Sequence, residues 1–290
     1  MPIALDSLLE MGPQSRGFGE GHMTTANTTT ASRYGDLAVE VGDDYVATVE
    51  IQRPPNNHIN LAMVDSLATA LADLDRDDRC RAIVFCATGK HFCAGGDFSS
   101  DADTAPDPST GERRGVYDEA DKLFATKKPI VAAVQGAAIG AGLGLTLVAD
   151  FRVAAPEARF AANFARLGFH HGFVLTATLP GVVGQQKALE LLYTGRRVSG
   201  EEALAIGLAD RLAPLADLRA VARDFAREIA ISAPLAVASI RETMRGDMPA
   251  KVRSVIARER AQQTRLRATE DWKEGVRAMA ERRLPNFLGK

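Results

Sequence analysis

The chain is short of three things, and each shortage narrows its function. Cysteine is rare: only Cys80, Cys86 and Cys93 occur in 290 residues. Their spacing fits no metal knuckle, and an odd, sparse set excludes a disulfide framework and fits a reducing, cytoplasmic setting. Long apolar runs are missing too. The longest, Ala137 to Ala149, is interrupted by three glycines, whereas a membrane span needs about 20 consecutive apolar residues. Neither charge sign is in excess, with 35 Lys+Arg against 37 Asp+Glu. No basic stripe points to nucleic acid, and no acidic block points to a charged tail. What the chain does have is 46% hydrophobic residues, enough for one large core, or a core with a helical appendage.

Residues 1–33 differ from the rest. They are rich in Gly, Ser and Thr, and Thr24 to Ala31 is nearly a Thr/Ala/Asn tract. Such a segment buries too little apolar surface to fold, and is expected to be disordered. Gly21-His22-Met23 matches a cloning junction before a native start at Met23. Asp6, Glu10, Glu20 and the scarcity of arginine argue against a mitochondrial transit peptide.

From residue 34 the pattern is regular. Leu37 to Val41 and Tyr45 to Gln52 alternate as two strands around Gly42-Asp43-Asp44. Asn60 can cap a helix from Leu61 to about Leu74. Ala82 to Ala87 is a continuous apolar run of strand length, as expected for a strand covered on both faces. Asp101 to Gly111 is a polar loop, and Glu112 to Thr126 reads as a helix leading to the strand Ile130–Val134. Ala141 to Ala149 reads as a buried helix, Phe151 to Ala155 as a strand, and Val183 to Thr194 as a helix. Ser199-Gly200-Glu201-Glu202 is a capping box. Beyond Ala213-Pro214 the chain reads as helices only, over Asp217–Ser232, Pro234–Arg245 and Ala250–Arg283. This order predicts an α/β core over 34–213 and a helical region over 214–290.

Two small-residue turns carry the chemistry. His91-Phe92-Cys93-Ala94-Gly95-Gly96-Asp97 follows the apolar strand at 82–87, and Gly136-Ala137-Ala138-Ile139-Gly140-Ala141-Gly142 follows the strand at 130–134. Turns stripped of side chains let backbone N–H groups approach one ligand atom from two sides, which is how proteins stabilise an oxyanion. One glycine-rich turn alone marks only a tight bend; the pair is more specific.

Phe92 to Asp97, the segment Lys128-Pro129-Ile130-Val131-Ala132-Ala133-Val134-Gln135-Gly136 with its turn, Gln52-Arg53-Pro54 and Arg283-Leu284-Pro285-Asn286-Phe287 together resemble the enoyl-CoA hydratase/isomerase (crotonase) superfamily, over roughly residues 36–290. The resemblance implies a crotonase-like ββα-spiral core with a C-terminal helical trimerisation region, and a homotrimer or dimer of trimers. It implies an acyl-CoA thioester as substrate, no separate cofactor, and an enolate held by the amides of Gly96 and Ala141. CoA contacts would fall to His58, Ile59, Lys90 and Ala94, with Arg282, Arg283 and Lys290 able to add charge.

The sequence departs from the family where hydratases carry two glutamates. The matching positions hold Gly144 and Phe164, and neither can move a proton. Nearby, Gly168-Phe169-His170-His171-Gly172-Phe173 replaces a Pro-Gly turn. Dihydroxynaphthoyl-CoA synthases of the superfamily have an aspartate in this loop, at the position of His171. An imidazole with pKa near 6.5 exchanges protons at neutral pH, so His171, then His170, are the acid/base candidates beside a structural loop role. Asp97 is expected to cap its turn, and Glu112, Tyr117 and Glu119 are reserve candidates. Cys93 has no evident base to make it a thiolate. Trp272 is expected at the surface or a subunit contact, and Phe98, Phe164 and Phe173 suggest an apolar or aromatic acyl pocket. Hydratase or isomerase chemistry leads. Thioester or β-diketone hydrolysis with a histidine, and a CoA-binding protein without turnover, stand as alternatives.

Overall fold

The computed structural model describes residues 30–96, 104–106, 113–116 and 119–290. The expectations for Asp97, Phe98, Glu112, Tyr117 and the Gly21–Met23 junction lie outside the described residues.

Strands β1 (Thr30–Tyr34), β2 (Leu37–Val41) and β3 (Val46–Ile51) form an antiparallel meander. Helix α1 (Leu61–Arg76) then crosses to β4 (Ala82–Ala87). A short hairpin, β5 (Thr104–Pro106) and β6 (Arg113–Gly115), precedes α2 (Ala120–Phe124). Next come β7 (Ile130–Val134), β8 (Ala137–Ile139), α3 (Ala141–Thr146), β9 (Phe151–Ala154) and β10 (Arg159–Ala161). A 3-10 turn at Asn163–Leu167 leads into α4 (Leu175–Val183) and α5 (Gln185–Thr194). After β11 (Val198–Ser199), α6 (Gly200–Ala205) and β12 (Arg211–Leu212), four helices close the chain: α7 (Leu218–Ala230), α8 (Pro234–Arg245), α9 (Met248–Arg267) and α10 (Glu270–Ala280).

The main sheet has the order β1-β2-β3-β4-β7-β9-β12, and a smaller one the order β11-β10-β8. Strands β3, β4, β7, β9 and β12 pair in parallel, as crossover connections require. The two sheets show the spiral directly. Each turn lays one strand in the main sheet (β7, then β9) and continues into one in the small sheet (β8, then β10). The first turn takes part through a bridge between Cys93 and Ala138.

Strand β4 shows why its sequence is apolar throughout. Ile83, Phe85 and Ala87 face the main core with α1, while Ala82, Val84 and Cys86 face α7. On α7, Leu218, Ala222, Ala226 and Ala230 recur every four residues, and the alanines let the helix lie close on the sheet. Pro214 is therefore a change of composition and not a break in the core, because α7 covers the second face of the sheet.

Helix starts follow local chemistry. Asn60 accepts from the Met63 N–H at 2.9 Å and Ser199 from the Glu202 N–H at 3.2 Å, each satisfying a first-turn donor. Four expectations need correction. Of the helix expected over Glu112–Thr126, Arg113–Gly115 is strand β6 and the helix is confined to Ala120–Phe124 among the described residues. The segment 1–33 is not wholly without structure: β1 begins at Thr30 and pairs with β2 by backbone hydrogen bonds, which need no apolar side chains. The helix expected over Val183–Thr194 begins at Gln185 as α5, because Gly184 at φ 75° breaks the backbone, and an unexpected helix, α4, precedes it. The last long helix is likewise split at Thr269, whose side chain caps α10 by accepting from Trp272 N–H at 3.1 Å.

Helix α8 is tied to the core by charge. Arg241 and Arg245 both reach Asp150 at 3.0 Å, and Asp150 also accepts the Ile130 N–H at 2.8 Å. Among the described residues no helix is long and apolar enough to cross a membrane.

Candidate active site

The two turns lie against each other. Cys93 N–H donates to Ala137 O at 2.9 Å, and Ile139 N–H donates to Cys93 O at 3.1 Å. The first turn is pinned from below by Phe92, fully buried, whose ring meets Phe85 edge-on at 5.3 Å. From the side, Asn57 donates to Thr88 O at 2.8 Å and His91 O at 2.7 Å. Contact between the turns is close enough that a Cβ on Gly142 would sit 2.2 Å from Cys93 O. Only glycine permits this approach.

The Gly96 and Ala141 amides keep a particular status in this arrangement. Ala141 is the first residue of α3, so its N–H has no intrahelical acceptor. Gly96 bridges Ile59 in parallel fashion, with Ile59 N–H donating to Gly95 O at 3.0 Å. In such a bridge the N–H of Gly96 itself is turned away from Ile59.

The other candidates sort by what their atoms already do. His58 places Nδ1 3.3 Å from Gly95 O and lines an open recess with Asp36, Gln52, Arg53, Pro54, Pro55 and Asn56. Ile59 is fully buried and its N–H is committed to Gly95, so it holds the turn. Ala94 N–H is committed to Asn56 O at 2.9 Å, and Lys90 is exposed at the start of the turn. Arg283 is taken up by Glu274 and Glu281. Glu119 is buried and paired with Lys122. Burial pushes the Cys93 thiol up to about 11, which leaves it inert.

The positions expected for the two family glutamates are closely packed. Gly144 lies on α3 under Phe173: a Cβ there would meet Phe173 O at 2.7 Å and the ring Cδ1 at 2.8 Å. Phe164 is buried, with its ring beside Gly140 and 5.4 Å from Phe169. Trp272, expected at the surface or a subunit contact, is half-buried and packs edge-on to Phe169 at 4.5 Å.

The histidine loop leads from the 3-10 turn into α4. His170 and His171 stack with ring centroids 4.1 Å apart. His170 Nδ1 lies 2.7 Å from His171 O; a carbonyl only accepts, so that nitrogen carries the proton. His171 Nε2 lies 2.8 Å from Thr176 Oγ1. Burial, and then the neighbouring His170, push the His171 pKa down to about 4, so the ring is neutral at pH 7. The loop ends in two left-handed residues, Phe173 at φ 55° and Val174 at φ 65°.

Sequence reasoning missed Glu259. This carboxylate on α9 is 2% exposed and accepts from Val174 N–H at 2.9 Å, Thr176 N–H at 3.0 Å and Thr176 Oγ1 at 2.6 Å. Burial raises its pKa, while these donors oppose the shift. It acts as the cap of α4, whose own N-cap, Val174, has no capping side chain. A Glu in the charged helix Met248–Arg267 carries no local signal of burial.

Comparison with known proteins settles the relationship. The family model described as enoyl-CoA hydratase/isomerase matches residues 42–290. The chain belongs to the enoyl-CoA hydratase/isomerase family. It is 32% identical over 256 residues to a probable enoyl-CoA hydratase of Bacillus subtilis (strain 168), covering 86% of this chain and 97% of that protein. It is 32% identical over 254 residues to a carnitinyl-CoA dehydratase of Salmonella typhi, covering 84% of this chain and 95% of that one. Among solved structures, an enoyl-CoA hydratase/isomerase from Pseudoalteromonas atlantica T6c superposes with a TM-score of 0.78 at 31% identity, over 87% of this chain and all of that one. The crotonase fold and an acyl-CoA-processing role of lyase or isomerase type follow from the family. Both turns and the histidine loop lie inside the matched region.

Proposed function

We propose that this family member stabilises a thioester enolate between the N–H groups of Gly96 and Ala141, and moves the proton without the usual glutamate pair. The observation that carries the reading is the bridge between Cys93 and Ala138, which sets the two turns side by side. A thioester carbonyl held by both amides gains charge as the α-carbon loses its proton. Each fixed donor is worth about 3–4 kcal/mol in such a site. His171 enters as the neutral imidazole, the form that accepts a proton, with His170 as the second candidate. The recess beside His58, with Arg53, supports a CoA end there, and exposed Lys90 is suited to a phosphate. Phe164 and Phe173 support an apolar or aromatic acyl group. Self-association as a homotrimer or dimer of trimers is supported by α8, where Leu235, Ile240 and Met244 are exposed and no residue is fully buried.

The test is the product formed from crotonyl-CoA, a 3-enoyl-CoA and a β-ketoacyl-CoA, which separates hydration, double-bond migration and release of CoA. Loss of an acid/base group lowers the rate roughly 100- to 10,000-fold; His171→Ala is expected in that range. Binding of all three with no product overturns the enzymatic reading, and full turnover in both His171→Ala and His170→Ala overturns the acid/base assignment.

A further inference from the structure

We propose that Glu259 is a positioning residue that acts through Thr176 to hold His171 in its Nε2–H form, leaving Nδ1 as the nitrogen that accepts a proton. The inference rests on the acid/base role proposed for His171.

The argument follows the protons. Each oxygen of the Glu259 carboxylate already takes a backbone N–H, Oε1 from Thr176 and Oε2 from Val174. An ionised carboxylate is acceptor-only. The Thr176 hydroxyl, 2.6 Å from Oε1, therefore donates its single proton to Glu259. What it offers His171 at 2.8 Å is a lone pair, and only Nε2–H can use it. A neutral imidazole has one N–H, so Nδ1 is left bare. Which ring nitrogen carries the proton is set by the hydrogen bond the other makes, and here that bond is relayed from a carboxylate on a different helix. Nε2 lies 4.0 Å from Glu259 Oε1, close enough for the charge to favour the imidazolium once a proton arrives.

Among the described residues, the surroundings supply no rival for this control. The described titratable groups set against His171 are His170, stacked on it, and Glu259 from α9. Helix α3, against which Phe173 packs, has only Ala, Gly, Leu and Thr over Ala141–Thr146. The His170 proton is engaged with the His171 carbonyl, and that ring donates nothing through Nδ1 to its neighbour.

A cap for α4 would explain the two backbone bonds of Glu259 without any role for the hydroxyl, so the decisive variant removes the hydroxyl alone. Thr176→Val leaves both N–H bonds to Glu259 in place, and Thr176→Ser restores the relay. The readouts on the full-length protein are the 15N shifts of the His171 ring nitrogens at pH 7, assigned by difference against His171→Ala, and kcat and KM. Expected are an Nε2–H tautomer in the parent, a mixture of tautomers in Thr176→Val, and recovery in Thr176→Ser. With the valine variant, kcat should fall about 10- to 100-fold with KM little changed, the scale found when the outer partner of a metal-bound histidine is removed. An Nδ1–H tautomer in the parent would place the proton on Glu259 and reverse the relay, overturning the proposal. So would an unchanged tautomer in Thr176→Val, whatever the rate does. If His171→Ala keeps full turnover, the acid/base reading fails separately, and the ring shifts still report on the relay.

Discussion

Gly144→Ala isolates the packing of Phe173 against helix α3. Alanine is favoured over glycine within a helix by about 1 kcal/mol, so in open space the change would stabilise the protein. Here the new methyl carbon would lie 2.7, 2.8 and 2.9 Å from Phe173 O, Cδ1 and Cβ. Two of these atoms cannot swing away. The Phe173 backbone is fixed by its left-handed φ, by that of Val174, and by Glu259 holding the Val174 N–H. Overpacking costs about 1–3 kcal/mol, and the immobility of the partner puts this case at the upper end. The net loss is then about 2 kcal/mol, or a fall in Tm of about 4–8 °C for a chain of this size. Urea and thermal unfolding measure it directly. Gly181→Ala on α4 is the control, since a Cβ there meets nothing within 4 Å, and it should be neutral or stabilising. Gly144→Glu should lose more stability and gain no hydration of crotonyl-CoA. A Gly144→Ala protein as stable as its parent would refute the reasoning.

Three further outcomes follow from the same geometry. The folded His171 imidazole titrates near 4 and an unfolded one near 6.5, so the unfolded chain takes the proton first. Stability should decline as pH falls from 6.5 to 4, by up to about 3 kcal/mol, and denaturant curves of His171→Asn should lack this component. Asp150→Asn leaves Arg241 and Arg245, 10% and 17% exposed, without their counter-charge. Breaking a buried pair costs about 3–5 kcal/mol, seen as a lower urea midpoint. Burial holds the Cys80 and Cys86 thiols at about 12 and Cys93 at about 11. A disulfide reagent at pH 8 should find no reactive thiol in the folded protein and 3 after unfolding.

The sequence made the core legible where local chemistry decides structure. The all-apolar run of β4 announced burial on both faces, and Asn60 and Ser199 announced helix starts by their side-chain oxygens. The two turns were legible because glycine there answers a steric need that no other residue meets. What escaped was long-range. Helix α4 was missed because Phe173 and Val174 adopt left-handed backbone and no capping residue precedes it. Its cap is supplied by Glu259, 85 residues away from Val174. The lowered basicity of His171 is equally a product of burial that no neighbouring residue signals. Trp272 read as a surface or subunit-contact residue because its helix is charged, and the packing of its ring on Phe169 was not legible.

Ala213-Pro214 looks like a natural seam for recombining this chain with a homologue, and it is a poor one. Helices beyond it close the far side of the sheet through α7 and clamp the histidine loop through Glu259. A hybrid joined there would inherit a mismatched sheet cover and, unless the donor brings an acid at the same depth of α9, an unanchored loop. Blocks for shuffling should instead keep the sheet together with α7 and α9, treating the two halves as one unit of inheritance.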